Sequence, residues 1–184
     1  MRLESIREQL SGYAGTGERE VGFLGRMLEL CGADAACERS HFDPGHFTAS
    51  AFVLSPDRSE LVLIHHKKLG IWVQPGGHVD PTDPDLMTSA RREVLEEVGL
   101  GNLEPFQALG SPIFDVDIHT IPARKQEPAH EHFDVRFAFV AETRELVRSE
   151  EVLDLRWVPL AEIERMASDD SVQRAVKKLR SLLS

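Results

Sequence analysis

The segment from Arg92 to Leu100, with the sequence REVLEEVGL, constrains this 184-residue chain more than any other. If it is helical, Glu93 lies three residues before Glu96 and four before Glu97, so the three carboxylates share one side. Carboxylates placed in this way repel one another, and a solvated helix face would normally interleave lysines. Hard divalent cations take oxygen ligands and supply the missing positive charge, and Mg²⁺ is the usual choice beside phosphates. The segment therefore predicts a helix that presents a site for a divalent cation.

The residues around these acids indicate a helix anchored in a core over residues 85–98. On the opposite side lie apolar residues at helical spacing, namely Leu86, Met87, Ala90, Val94 and Val98. Arg92 lies four residues before Glu96 and can bind its carboxylate. Gly99 is positioned to end the helix in a left-handed conformation. Upstream, Gly76 and Gly77 allow the backbone to approach the acids closely, and a carbonyl there can complete a metal shell.

The rest of the chain predicts a mixed α/β architecture and not a doubly wound parallel sheet. We expect strands over residues 46–54, 61–66, 71–74, 113–121, 130–140 and 156–159, with two short helices at the end. Residues 1 to about 40 are predicted to be helical, because apolar side chains recur at helical spacing. In the second of the two helical segments these are Val21, Leu24, Leu28 and Cys31. A turn at residues 42–45 ends this region, so we predict an N-terminal helical extension over residues 1–42 and a main domain over residues 43–184.

The composition limits the classes of partner. The chain has 31 acidic and 21 basic residues, a net charge of −10, and no basic stripe, so we expect no nucleic-acid partner. The apolar runs are too short to cross a bilayer, and no secretory signal is apparent at the N-terminus. Two cysteines cannot form a disulfide framework, which favours a reduced, cytoplasmic protein. Between Asp80 and Glu97, six acids face two arginines, a local net charge of −4, so the acidity recruits cations at the predicted site.

The stretch that begins at Gly77 resembles the Nudix box, in which Gly, five residues, Glu and seven residues precede Arg-Glu-apolar-x-Glu-Glu-x-Gly-apolar. The second half matches at every fixed position, starting at Arg92. The first half contains one extra residue: counting from Gly77 places the acid at Asp83, and counting back from Arg92 places it at Pro84. The other candidates for this acid are Asp80 and Asp85.

The resemblance covers about residues 45–165 and implies a Nudix-like α/β/α sandwich with a mixed sheet. It also implies a pyrophosphohydrolase that uses Mg²⁺, or Mn²⁺, to hydrolyse a diphosphate bond in a nucleoside diphosphate derivative. Carried over to this sequence, it makes Glu96 and Glu97 metal ligands together with the carbonyl of Gly77. Glu93 becomes a ligand or a group that helps to activate water. The remaining residues of the implied catalytic set are Arg92 and, as a distal base on a loop, Glu127.

A second polar group lies on the predicted strands 113–121 and 130–140. Alternation places four apolar residues of the later strand on one face, and on the other face His130, His132, Asp134 and Arg136. The earlier strand adds Asp117 and His119. We interpret this face as a polar wall that contacts the substrate, with Arg136 binding phosphate. A solvated sheet face and a separate zinc site held by three histidines are alternatives. The other predicted substrate contacts are Trp72, Gln74 and His78.

The resemblance leaves several functions open. A nucleoside diphosphate sugar such as ADP-ribose is the first candidate substrate, and nucleoside triphosphates and dinucleoside polyphosphates are alternatives. Isopentenyl diphosphate isomerases share the fold but need a catalytic cysteine, and Cys31 and Cys37 precede the domain. A non-catalytic nucleotide sensor is a third class, although such domains often lose box carboxylates that this chain retains. The N-terminal helices pack on the domain or form the arm of a homodimer.

Overall fold

The computed structural model describes residues 3–67, 69–80, 82–106, 111–124, 127–166 and 168–183. The helices in chain order are α1 (Leu3–Ser11), α2 (Gly17–Leu30), α3 (Leu86–Val98), a 3₁₀ turn (Ile163–Arg165) and α4 (Asp170–Leu183). The strands are β1 (Gly45–Leu54), β2 (Glu60–His66), β3 (Trp72–Val73), β4 (Gly76–His78), β5 (Leu103–Pro105), β6 (Asp115–Ile121), β7 (His130–Ala141) and β8 (Val152–Pro159). The predicted α+β class with N-terminal helices is confirmed, and the short strands β4 and β5 are additions to the prediction.

The strands of the described residues form one mixed sheet. Its hydrogen-bonded order is β3-β2-β1-β7-β5, while β4 pairs with β1, β6 with β7 and β8 with β2. Strand β2 is antiparallel to β1, β3 and β8, and β7 is antiparallel to β5 and β6. No helix in these described parts of the chain combines the length and apolarity that a membrane span requires.

The chain divides into two compact units, each built from three segments. The first unit comprises Met1–Ser50, Gly77–Ala90 and Leu109–Phe137, and the second comprises Ala51–Gly76, Arg91–Ala108 and Ala138–Ser184. This division does not test the predicted boundary between residues 42 and 43, which stays a prediction.

In the first unit, the N-terminal helices pack on their own chain, with α1 against α2 and α2 against β6. The buried face of α2 consists of Glu20, Met27 and Leu30, whereas Val21 is 57% exposed. The predicted apolar face that began at Val21 is therefore wrong. The reason is Glu20, whose buried carboxylate accepts hydrogen bonds from the hydroxyl of Tyr13 at 2.6 Å and the N–H of Thr16 at 2.9 Å. This polar contact turns the helix so that its neighbour Val21 faces outward.

The start of β1 lies unusually close to β7, also within the first unit. The N–H of Glu131 donates to the carbonyl of Pro44 at 2.9 Å, and Gly45 adopts a φ of +153°. A Cβ atom on Gly45 would lie 1.8 Å from the carbonyl oxygen of Glu131. Only glycine allows this approach, which fixes His46 at the beginning of β1.

Helix α3 begins one residue after its predicted start, ends at the predicted residue and has the predicted apolar stripe. Leu86, Ala90, Val94 and Val98 are fully buried. Gly99 ends the helix with a φ of +78°, and its N–H donates to the carbonyl of Leu95 at 3.0 Å. The left-handed conformation predicted at Gly99 is confirmed.

Candidate functional site

The loop before α3 in the first unit accommodates the extra residue of the box. Asp83 is buried, and its carboxylate accepts a hydrogen bond from the hydroxyl of Ser89 at 2.8 Å. The carboxylate of Asp85 accepts the N–H of Thr88 at 2.7 Å, which is the contact of a helix N-cap. Asp80 lies in a local turn, where its backbone N–H donates to Asp83 at 3.3 Å. Asp83 thus fastens the loop to the helix from a buried position and Asp85 caps the helix, and the acid that replaces the first box glutamate stays a prediction.

The acidic site of the second unit consists of Arg92, Glu93, Glu96 and Glu97. The guanidinium of Arg92 contacts the Glu93 carboxylate at 2.8 Å and the Glu96 carboxylate at 3.0 Å. The predicted contact between Arg92 and Glu96 is therefore present. The Glu93 side chain is 14% exposed and that of Glu96 is 56% exposed, so the helix turn holds one half-buried and one solvated acid.

Glu97 is the most strongly perturbed acid of this site. Its carboxyl accepts the N–H of Gly76 at 2.9 Å, which is the close backbone approach that the two glycines predict. The pKa of Glu97 is raised to about 8, chiefly by burial and also by the carboxylates of Glu93, Glu151 and Glu96, against the opposing hydrogen bond from Gly76. Burial also raises the pKa of Glu93, against the opposing effect of Arg92. At both carboxyls burial is the main cause of the raised pKa, and neighbouring carboxylates add to it.

The acidic site therefore fits a divalent cation. Three carboxylates oppose one guanidinium among its four residues, a formal charge of −2 when all are ionised. Oxygen donors at this charge are the set that Mg²⁺ and Mn²⁺ prefer. Glu151, which the sequence interpretation did not include, adds to the negative potential at both Glu93 and Glu97.

The other predicted residues near the glycines are placed as follows. Gly77 is half-buried in β4 and follows Gly76 in the chain; the role of its carbonyl as a metal ligand stays a prediction. In the second unit, the Trp72 ring stacks on His65 with ring centroids 5.1 Å apart, and the guanidinium of Arg156 lies 4.3 Å from its centroid. Gln74 is half-buried beside β3. The half-buried Trp72 thus carries an aromatic and a cationic neighbour at its ring.

A histidine cluster forms in the first unit, and its members are His46, His78, His119, His130 and His132. His132 is the centre, with ring centroids of the other four between 4.9 and 5.4 Å away. The pKa of His132 is lowered to about 2, chiefly by burial and also by the neighbouring histidines. Burial likewise lowers the pKa of His46. At His46 and His132 burial thus disfavours the charged form of the imidazole.

His46 is the member of this cluster that sequence reasoning missed. It begins β1, whereas His130 and His132 begin β7, more than 80 residues later. Local periodicity carries no signal for such a pairing. His78, the residue after the glycine pair, joins the cluster through ring contacts with His46 and His132.

Arg136 occupies a buried charged network and not a solvent-facing wall. It is 1% exposed, and its guanidinium contacts the carboxylates of Asp134 at 2.8 Å, Asp115 at 3.3 Å and Asp117 at 3.3 Å. Asp134 also accepts hydrogen bonds from two hydroxyls of β1, Ser50 at 2.8 Å and Thr48 at 3.2 Å. Strands β1 and β6 thus supply internal partners for both residues, and the roles of Arg136 and Asp134 as substrate contacts stay predictions.

The remaining predicted residues lie at the surface. His119 is 43% exposed, and its Nδ1 lies 3.4 Å from the carboxylate of buried Asp117. Glu127 pairs with Arg39 at 3.2 Å and is 45% exposed. Its role as a distal base stays a prediction.

Comparisons with known proteins agree with this fold. The NUDIX domain profile matches residues 44–179. Chains of similar structure include a NUDIX family hydrolase from Clostridium perfringens, with a TM-score of 0.55 and 22% identity over 74% of this chain and 97% of that one. The dihydroneopterin triphosphate pyrophosphohydrolase of E. coli has a TM-score of 0.55 and 15% identity, covering 72% and 92%.

A third neighbour is the NUDIX domain of NrtR from Shewanella oneidensis, in a complex with ADP ribose. Its TM-score is 0.54 at 19% identity, covering 75% of this chain and 88% of that one. At these identities the structural likeness establishes the fold alone. No curated protein sequence matches the chain. The matched profile spans most of the chain and contains the whole acidic site, and on this ground the chain belongs to the NUDIX domain family.

Proposed function

We propose that the chain is a divalent-metal-dependent pyrophosphohydrolase that cleaves a diphosphate bond in a nucleoside diphosphate derivative. The observation that carries this proposal is the acidic site of α3, where half-buried Glu93 and Glu97 have raised pKa values and only Arg92, which contacts Glu93 and Glu96, is paired with these acids. A merely structural helix face would gain nothing from holding these carboxyls in such a costly arrangement.

The residues of the acidic site have two roles, holding a cation and positioning the carboxylates that hold it. Glu93, Glu96 and Glu97 would hold the cation, together with the carbonyl of Gly77. When bound, a divalent ion supplies positive charge for the diphosphate oxygens and lowers the pKa of a coordinated water. The N–H of Gly76 orients Glu97, and Arg92 holds the other two carboxylates in position. Because a ligand carboxyl must be ionised, Glu97 would hold the cation in its deprotonated form.

A nucleoside diphosphate sugar such as ADP-ribose is the first substrate of this proposal. The bound ADP ribose of the NrtR neighbour is consistent with it, since that domain shares the fold. Nucleoside triphosphates and dinucleoside polyphosphates are the alternatives within the same reaction class. Trp72, with its aromatic and cationic neighbours, and Gln74 are the proposed contacts for the nucleotide in the second unit. In the first unit, His78, His119, His130 and His132 stay the predicted contacts.

The test is a substrate panel with Mg²⁺ and with Mn²⁺, in which released phosphate and nucleoside monophosphate are measured. We expect turnover of at least one diphosphate, and loss of turnover by a factor on the order of 1,000 in Glu97→Gln, as for removal of a central electrostatic group. Glu104→Gln, an exposed acid on β5, is the matched control and should retain wild-type rates. Wild-type turnover in Glu97→Gln would refute the metal-site assignment. Tight nucleotide binding without turnover of any substrate would favour a sensor, and light scattering of the same sample would report whether a homodimer forms.

A further inference from the structure

The histidine cluster has a property that substrate contact does not explain. Three of its members, His46, His130 and His132, each place a ring nitrogen so that all three nitrogens lie within 4.8 Å of one another. His46 and His130 are buried and His132 is half-buried. Three imidazole nitrogens that converge in a largely buried place have the arrangement of a metal-ligand set, which a solvated polar face does not require.

His46 is oriented as a ligand. Its Nδ1 lies 3.1 Å from the carbonyl oxygen of His41, which can only accept a hydrogen bond, so Nδ1 carries the proton. The other nitrogen, Nε2, then has a free lone pair, and it is buried without a hydrogen-bond partner. An orphaned lone pair in a buried place is costly. A cation at Nε2 would satisfy it.

His130 has the same orientation. Its Nδ1 lies 2.8 Å from the carbonyl oxygen of Pro128, which again assigns the proton to Nδ1 and the lone pair to Nε2. Histidines that bind metals almost always donate the distal N–H to a carbonyl or a carboxylate in this way. Two independent histidines of the cluster thus show the hydrogen bond that fixes a ligand tautomer.

The supporting electrostatics have the right sign. Two residues further along β7, Asp134 and Arg136 join Asp115 and Asp117, and these four side chains have a formal charge of −2, from three carboxylates and one guanidinium. A dication bound by neutral imidazoles nearby would lie in a favourable potential.

We propose that His46, His130 and His132 bind a transition-metal dication of the Zn²⁺ type, with Nε2 of His46 and of His130 as ligands. Imidazole selects such ions over Mg²⁺, which needs oxygen donors, so this site and the acidic site take different metals. In a tetrahedral site with Zn–N bonds of about 2.0–2.1 Å, the donor nitrogens lie about 3.4 Å apart. The three nitrogens here lie within 4.8 Å of one another, so ring rotations that move each nitrogen by on the order of 1 Å bring them to that spacing. The fourth position falls to His78, whose ring lies 5.2 Å from those of both His46 and His132, or to a water.

The experiment is to equilibrate the metal-stripped full chain with one equivalent of Zn²⁺ in a large excess of Mg²⁺, desalt it, and measure the retained zinc. We expect about one Zn²⁺ per chain. His46→Asn and His130→Asn should each weaken Zn²⁺ affinity by at least about 100-fold, because loss of a ligand exceeds the 10–100-fold effect of losing its supporting partner. His65→Asn, which changes a histidine outside the cluster, should retain the metal.

Co²⁺ gives a second readout that does not depend on any variant. Bound to wild type, it should show the intense visible bands of four-coordinate nitrogen ligation, and one equivalent of Zn²⁺ should abolish them. Circular dichroism of each variant confirms that it is folded, and His132→Gln replaces any variant that is not. The proposal would be overturned if wild type retained no Zn²⁺, or if His46→Asn and His130→Asn bound Zn²⁺ with the affinity of wild type. Glu97→Gln should still bind Zn²⁺ with wild-type affinity, so the outcome is independent of the proposed hydrolase activity.

Discussion

The buried charge of Arg136 offers the sharpest test of the structure. Replacing it with Met removes the guanidinium but keeps most of the apolar stem, leaving the carboxylates of Asp115, Asp117 and Asp134 without their common counterion. Breaking a buried ion pair by removing one partner costs about 3–5 kcal/mol. The three contacts of 2.8, 3.3 and 3.3 Å and the 1% exposure of Arg136 place the variant in that range. For a chain of this length, the melting temperature should fall by about 6–20 °C.

The assay is thermal and urea unfolding of Arg136→Met beside Arg180→Met as the control. Arg180 forms an exposed pair with Glu164 at 3.2 Å, and its loss should cost under about 1 kcal/mol. Adding Asp134→Asn to Arg136→Met should recover part of the lost stability, because one unpaired carboxylate is removed. The reasoning is refuted if Arg136→Met melts within about 2 °C of wild type. If Arg136→Met kept the melting temperature of wild type but lost most of its affinity for a diphosphate substrate, the result would instead support the predicted phosphate contact of Arg136.

Two further predictions concern helix α3. Gly99→Ala should lower the free energy of unfolding, measured by urea titration, by more than about 1–2 kcal/mol, because φ is +78° and the new Cβ would lie 2.7 Å from the Cβ of Val147. Gly22→Ala is the control: its Cβ would lie in open space on α2, so the same titration should show no loss of stability or a gain. The pKa of Glu97 is raised from 4.5 to about 8, so its contribution to stability is complete below pH 4.5 and is lost as pH rises through 8. In EDTA, the free energy of unfolding of wild type should decline over this pH range, whereas that of Glu97→Gln should not. If wild type and Glu97→Gln had the same pH dependence of stability, the assigned burial of Glu97 would be contradicted.

The acidic site was largely predictable because its signals are local. Spacing within α3 fixes which carboxylates share a face, Arg92 acts over four residues, and Gly99 acts at the helix end. The same locality explains why Asp83 could not be chosen from the sequence. The count along the box left three acids open, and only the burial of Asp83 against Ser89 distinguishes them.

The polar wall was only partly predictable, because alternation assigns residues to a face without saying what covers that face. Asp134 and Arg136 do share a side of β7, but β1 brings the hydroxyls of Thr48 and Ser50 to Asp134 across a sequence separation of 84 to 86 residues. His46 reaches the histidine cluster through the same distant strand. No periodicity within a single segment contains that information.

The close approach at Gly45 has a consequence for how the sequence can drift. Any side chain there must displace the backbone of Glu131, whereas Gly22 and Gly25 have nothing within 4 Å of an added Cβ. Selection in a library that varies every position should hold Gly45 fixed and accept many residues at the helical glycines. His46 follows this glycine, and its position in the histidine cluster depends on the close approach. A lineage that lost an imidazole could therefore regain the cluster only if it had kept Gly45.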